Sequence, residues 1–234
     1  MSLKDELATY VNSVFTDTWT RRSGQKVPSA DEIALKNEAV ELDATVLYAD
    51  LAGSTELVED KYDWVAANVY KSYLYCAAKI IRKNGGTITA YDGDRIMAVF
   101  IGGDKNSMAA KTGLQINWAT KNIVLARYRR KHPQTTYELK QRVGVDTSKL
   151  FVARTGIRGS NDLVWIGNAA NHAAKMAALP TTHPTYITHD VYKMLFDWAK
   201  LGGSTDPKKN MWTDLGSGAL GYRLYGSSWT WSVG

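Results

Sequence analysis

The sequence predicts an α/β (α+β) domain in which helices flank a mostly antiparallel sheet. Three observations carry that expectation. A short β-branched apolar run, Ala44–Ala49, precedes a long amphipathic period. Two strand-like runs close around Asp92-Gly93. Two more helical periods, 105–131 and 168–179, each lead into strand-like segments. With 234 residues, 44% hydrophobic and 22% charged, the chain has the balance of an ordinary soluble globular protein and enough length to bury a core.

In order, residues 3–20 read as a weakly amphipathic helix with Leu7, Tyr10, Val11 and Phe15 on one side. Residues 21–31 are polar, contain Gly24 and Pro28, and read as a linker. The expected division is therefore an N-terminal helix and linker over 1–43 and one domain over 44–234. Ala44–Ala49 reads as a buried strand bounded by Asp50 and Gly53. A helix from about 56 to 83 would turn Val65, Val69, Tyr73, Ala77, Ile80 and Ile81 to the core, and Gly85-Gly86 stops it. Thr87–Tyr91 and Arg95–Phe100 form a hairpin. The helix over 105–131 ends in Arg127, Arg129, Arg130 and Lys131. A strand pair around 137–154 shows alternation in Arg142–Asp146. A third helix spans Asn168–Leu179, Tyr186–Ile187 reads as a short strand, and the aromatic tail 211–234 supplies further strands, including Tyr222–Tyr225. Trp229 and Trp231 alternate like strand residues and read as core or interface.

Composition excludes several classes of function. A single cysteine, Cys76, rules out an intramolecular disulfide framework and a Cys-cluster metal site. No apolar run approaches a membrane span. Met1–Leu7 lacks the features of a secretory signal, so a cytoplasmic location is expected. The net charge of +6 suits an anionic ligand without identifying one.

Three constellations can carry chemistry. In Tyr48–Thr55 a carboxylate, Asp50, ends a buried strand and a small-residue turn, Ala52-Gly53-Ser54-Thr55, leads into a helix; successive N–H groups there suit a phosphate. The plainer reading is a capped strand-to-helix turn. In Asp92-Gly93-Asp94, Asp94 starts the second strand, so it converges with Asp50 if the hairpin neighbours the first strand. Two such carboxylates could hold Mg²⁺, or the aspartates could simply serve the turn. In Gly167–Lys175, Asn171 and Lys175 share a helical face, where an amide and an ammonium could stabilise phosphoryl charge or form a solvated stripe. His172 reads as a surface or packing histidine. The Arg127–Lys131 cluster around Tyr128 suits either nucleic acid or, as adopted here, a solvated helix end that complements the dipole.

Taken in order, these segments resemble the catalytic domain of class III nucleotidyl cyclases. The resemblance runs from about residue 44 to 190, with weaker similarity to 225. It rests on Val46–Thr55, Gly85–Ile88, Asp92-Gly93-Asp94 leading into Met97–Phe100, Arg142–Val145, and Gly167 through Asn171–Lys175. It implies a ferredoxin-like domain over 44–234, working as a head-to-tail homodimer with shared active sites and two divalent ions, Mg²⁺ or Mn²⁺, per site. Asp50 and Asp94 match the metal-binding aspartates and Leu51 a carbonyl ligand to the metal. Ala52–Thr55 match the triphosphate turn and Asn171 the transition-state asparagine. Lys175 stands where the family usually has arginine, keeping the charge and losing the bidentate fork.

Other departures concern the base. Ala90 and Val164 occupy the positions where the family reads adenine, and Arg95 a position that is usually glycine. Lys208 and Lys209 are candidates for the late triphosphate lysine. Without purine-reading residues, the chain resembles the pyrimidine cyclases of bacterial Pycsar antiphage systems, which implies a cyclic pyrimidine nucleotide that activates a separate effector, with no nucleic-acid or membrane partner. Tyr48 lies on the same strand face as Asp50; its hydroxyl would shorten the base pocket, or else is a core tyrosine satisfied by backbone. Arg95, a donor-only side chain, favours the O4 acceptor of uracil over the amino group of cytosine, so UTP is expected over CTP. The rivals are an adenylate or guanylate cyclase, or an inactive cyclase-like domain that binds nucleotide and signals by dimerisation.

Overall fold

The computed structural model describes residues 1–54, 57, 63–204 and 206–234. In chain order its elements are α1 (Leu3–Thr16), β1 (Thr20–Ser23), β2 (Glu38–Ala52), α2 (Asp63–Lys83), β3 (Thr87–Asp92), β4 (Arg95–Phe100), α3 (Lys105–Ala119), a π-helical stretch Thr120–Leu125, α4 (Ala126–Lys131), β5 (Lys140–Ile157), β6 (Ser160–Ile166), α5 (Asn168–Met176), β7 (Thr185–Thr188), α6 (His189–Lys193), α7 (Asp197–Lys200), β8 (Leu201–Gly202), β9 (Lys209–Asn210), β10 (Thr213–Gly216) and β11 (Leu224–Ser227). The chain divides into two compact units, 1–43 with 149–167, and 44–148 with 168–234.

In the first unit, α1 starts from a capping box in which Ser2 and Asp5 satisfy each other's backbone donors. None of its residues is buried. The expected linker 21–31 is corrected: β1 pairs in parallel with the start of β2, from Thr20 opposite Glu38 to Ser23 opposite Glu41. Its four residues are all exposed and none is apolar, so no hydrophobic period announces it. It is held by the ladder and by Arg21–Glu41 and Arg22–Glu38 ion pairs. Gly24 allows the close approach that follows, since a Cβ there would meet Val40 and Leu42 at 2.5 and 2.6 Å. The end of β5 and β6 form a hairpin, Phe151 opposite Ile166 through Ile157 opposite Ser160.

In the second unit the strand order is β10-β11-β7-β5-β2-β4-β3. β2–β4, β3–β4, β7–β11 and β10–β11 are antiparallel, and β5–β7 is parallel. The first strand is longer than expected, beginning at Glu38 rather than Ala44. Helix α2 buries Val65, Val69, Tyr73, Ala77, Ile80 and Ile81, the face its periodicity requires, against Leu47, Ala49, Ile96 and Phe100. Apart from Leu57, the expected stretch 56–62 lies outside the described residues.

Further corrections come from the later elements. The helix over 105–131 is interrupted by the π-helical stretch Thr120–Leu125. The helix expected to reach Leu179 ends at Met176, where hydrogen-bonded turns run into Pro180. Tyr222 precedes the last strand, which begins at Leu224. Trp229 and Trp231 lie outside the strands and pack, partly buried, on the core. Their backbone is captured by α3: Asn117 Nδ2 donates to Trp229 O at 2.9 Å and Trp231 N to Leu114 O at 3.2 Å. Among the described residues no helix is long and apolar enough to cross a membrane.

Candidate active site

The antiparallel pairing of β2 with β4 runs from Thr45 opposite Phe100 to Ala49 opposite Ile96. The next residues along each strand are Asp50 on one side and Asp94-Arg95 on the other, so the hairpin does lie beside β2 and brings the two aspartates together. Asp50 is 6% exposed. Burial raises its pKa, the neighbouring negative charge of Asp94 raises it further, and Arg95 and Arg142 pull it back. Asp94 Oδ2 is buried without a hydrogen-bond partner among the described residues.

Two guanidiniums face Asp50. Arg142 Nη2 lies 3.2 Å from Asp50 Oδ2 and 3.5 Å from Leu51 O, and Arg142 Nη1 donates to Leu179 O at 3.3 Å. Arg95 Nε lies 3.6 Å from Asp50 Oδ1. Tyr48, opposite Met97, is half-buried, and burial raises its phenol pKa while Arg95 lowers it, so the tyrosine and the arginine share one electrostatic environment. Tyr73 from α2 is fully buried, its hydroxyl has no hydrogen-bond partner among the described residues, and its pKa is raised well above the ordinary value by burial and then by Asp50 and Asp94.

β2 ends at Ala52, and Gly53 and Ser54 follow it; Gly53 has φ +72°, a left-handed conformation suited to glycine. Tyr70 on α2 donates to Ser54 O at 3.2 Å. Thr55 lies outside the described residues. Ala90 is half-buried opposite Met97, next to a register shift in β3. Val164 belongs to β6 of the first unit, opposite Ala153. Lys208 and Lys209 are exposed, at β9.

Asn171 and Lys175 are exposed on one face of α5. Among the described residues no hydrogen bond or ion pair joins either to Asp50 or Asp94. His172, between them in sequence, is partly buried, with Nδ1 2.8 Å from Asp146 Oδ2. The arrangement thus has two parts: a carboxylate pair, Asp50 buried beneath two guanidiniums and Asp94 half-buried beside it, and a separate amide–ammonium stripe. Sequence reasoning missed the roles of Arg142 and Asp146. Arg142 was visible only as one residue of an alternating strand, and nothing local showed which face it would take.

The carboxylate pair fits a divalent cation on an observation of its own: Asp94 Oδ2 is an orphaned buried acceptor coupled to a second carboxylate, Asp50, which shares Arg142 Nη2 with the Leu51 carbonyl, and carboxylate and carbonyl oxygens are the hard donors that such ions take. No group of three or more His, Cys, Asp or Glu side chains suited to a metal occurs among the described residues. Remaining ligands would have to come from substrate and water.

No protein-family model matches the chain. It is 48% identical over 235 residues to a uridylate cyclase of Xanthomonas perforans and 46% identical over 235 residues to one of Burkholderia cepacia, each comparison covering 100% of both chains. A uridylate cyclase of a Rhodovulum species is 38% identical, with 88% of each chain covered. Among solved structures, an adenylyl cyclase from P. aeruginosa superposes with a TM-score of 0.65 at 24% identity, covering 81% of this chain and 95% of that one. A guanylyl cyclase superposes with a TM-score of 0.66 at 17% identity, covering 82% and 94%. These superpositions show the fold.

Proposed function

The chain belongs to the uridylate cyclase family of nucleotidyl cyclases, and on that footing we propose that it converts a pyrimidine nucleoside triphosphate, UTP in preference to CTP, into the 3′,5′-cyclic monophosphate and pyrophosphate. The observation that carries this reading is the pairing of buried Asp50 with half-buried Asp94, present in a chain nearly half identical to uridylate cyclases along its whole length. Asp50, Asp94 and the Leu51 carbonyl would hold two ions, Mg²⁺ or Mn²⁺. Bound there, the ions would supply Lewis-acid charge for the ribose 3′-hydroxyl and the pyrophosphate leaving group.

The chain's own residues do the rest. The 3′-oxygen attacks the α-phosphorus, the bond to the β-phosphate oxygen breaks, and the hydroxyl proton leaves to water. Asn171 orients the ribose. Lys175 compensates the charge that develops on the α-phosphate. The N–H groups of Ala52, Gly53 and Ser54 line the triphosphate, with Lys208 or Lys209 as its late cation. Tyr48 limits the depth of the base pocket, beside Ala90, whose side chain cannot hydrogen-bond a base. Arg95 offers donors to uracil O4. A buried donor left facing the cytosine amino group costs about 1–3 kcal/mol, roughly tenfold to a hundredfold in selectivity.

The exposure of Asn171 and Lys175, with no bond to the carboxylates, supports a head-to-tail homodimer in which each site takes carboxylates from one subunit and the α5 stripe from the other. The resemblance to Pycsar cyclases supports a cytoplasmic second-messenger role in antiphage defence, acting through a separate effector. A second reading, nucleotide binding without turnover, is favoured by the lysine at 175 and by the guanidiniums that neutralise Asp50. Incubating the purified chain with UTP, CTP, ATP or GTP and Mn²⁺ decides among these readings. Cyclic UMP as the main product is expected, turnover of ATP comparable to UTP would refute the pocket argument, and no product from any triphosphate would leave the second reading.

A further inference from the structure

Helix α5 carries Asn171 and Lys175, yet its apolar grip on the second unit is thin. The side chains that it buries are Ala169, Ala170, Ala173 and Met176. Three of these are alanine methyls, which make few dispersion contacts and resist rotation about a helix axis weakly; Met176, packed with Tyr186 and Leu224, is the one large anchor and lies at the helix's C-terminal end. The setting of that rotation matters, because turning a helix by about 10° swings a side-chain tip 5–6 Å from its axis through roughly 1 Å. A misplacement of that size costs on the order of a hundredfold in rate.

Strand β5 answers with three alternate residues, Gly144, Asp146 and Ser148, which face one way because side chains alternate along a strand. A Cβ on Gly144 would lie 2.2 Å from Ala173 O. Ser148 Oγ accepts from Ala169 N at 3.1 Å. Asp146, 3% exposed, accepts from Thr188 Oγ1 on β7 through one oxygen and meets His172 Nδ1 at 2.8 Å through the other. The imidazole also stacks on Tyr222, with centroids 3.9 Å apart at 23°. The histidine is therefore gripped by edge and by face.

We propose that Asp146 and His172 are a positioning pair that sets the rotation of α5 and so aims Asn171 and Lys175 at the reacting phosphate; the inference rests on the roles proposed for those two residues. A buried carboxylate is a poor way to gain stability, since an apolar pair of similar volume usually stabilises as much or more. It is a good way to fix a register, because the hydrogen bond tolerates little rotation. Burial raises the Asp146 pKa, and the bonds from Thr188 and His172 oppose that, in keeping with a carboxylate retained for its partners.

The test compares three variants of the full chain by steady-state kinetics with UTP and Mn²⁺, with thermal melts as the folding control. His172→Leu is expected to lower kcat tenfold to a hundredfold with KM within about twofold, the signature of an interaction felt in the transition state. His172→Asn, whose amide Nδ2 takes the place of Nδ1, should recover most of the loss; His172→Gln, whose donor sits where Nε2 was, should not. A merely structural histidine would lower the melting temperature in all three without separating Asn from Gln in kcat. That result would overturn the proposal, as would a folded His172→Leu with kcat unchanged. If His172→Leu does not fold, the Asn–Gln comparison alone decides. Asn171→Ala is measured alongside: retained activity would sink the reading of the site and this proposal together, whereas loss in Asn171→Ala with full activity in His172→Leu would sink the positioning pair alone.

Discussion

A Cβ placed on Gly144 would stand 2.2 Å from the carbonyl oxygen of Ala173. Because the obstacle is backbone, no change of rotamer relieves it, and the glycine sets the distance between β5 and the helix that bears Asn171. Gly144→Ala should therefore push α5 away from the sheet, at a cost of about 2 kcal/mol or more, and remove most activity. Chemical denaturation and turnover with UTP check this, and an active variant of parental stability would show that α5 is not held where it lies.

Asp94→Asn should abolish turnover, by at least about a hundredfold, while making the metal-free protein more stable by about 1 kcal/mol. It removes a negative charge that works against Asp50 and supplies its own buried oxygen with no partner. Mn²⁺ should raise the melting temperature of the parent and leave that of the variant unchanged. Equal stabilisation of both by Mn²⁺ would place the ion elsewhere.

The pH dependence has a definite sign. The pKa of Asp50 is raised in the folded chain, by burial first and by Asp94 second. A carboxyl whose folded pKa lies above its unfolded value contributes stability that is full below the ordinary carboxylate range and is lost as pH rises through the raised value. Asp50→Asn removes that loss, so its stability relative to the parent, without metal, should improve as pH increases from about 4 to 8. Urea unfolding at several pH values measures the difference, and a trend in the other direction would contradict the assigned environment of Asp50.

Mixing Asp50→Ala with Asn171→Ala, each inactive alone, should restore activity to up to about half the parental level per heterodimer, because one of the two shared sites is then intact. Differently tagged subunits purified as a heterodimer make the measurement clean. No recovery in that species would mean that each chain builds its own site.

Arg95→Met should reduce the preference for UTP over CTP by about tenfold. Competition between the two triphosphates gives the ratio directly. An unchanged ratio would remove Arg95 from base recognition and leave it as a counter-ion to Asp50, 3.6 Å away.

What the sequence determined by itself is local. The face of α2 that packs inward and the turn at Asp92-Gly93 follow from period and turn chemistry within short windows, and the structure contains both. The convergence of Asp50 and Asp94 was legible only conditionally, and their places differ slightly from the expectation: β2 continues to Ala52, and Asp94 lies in the turn just before β4. β1 was not legible, because its four exposed residues have no apolar period and are held by backbone pairing and two surface ion pairs. The Arg142–Asp50 contact joins residues 92 apart in the chain, and His172–Asp146 joins residues 26 apart. Both depend on where β5 settles: its place beside β2, and the face it presents to α5. Strand order and face are chosen by the burial of the whole apolar surface at once. A motif therefore names the residues that can do the chemistry, while the packed sheet decides which charge stands next to which.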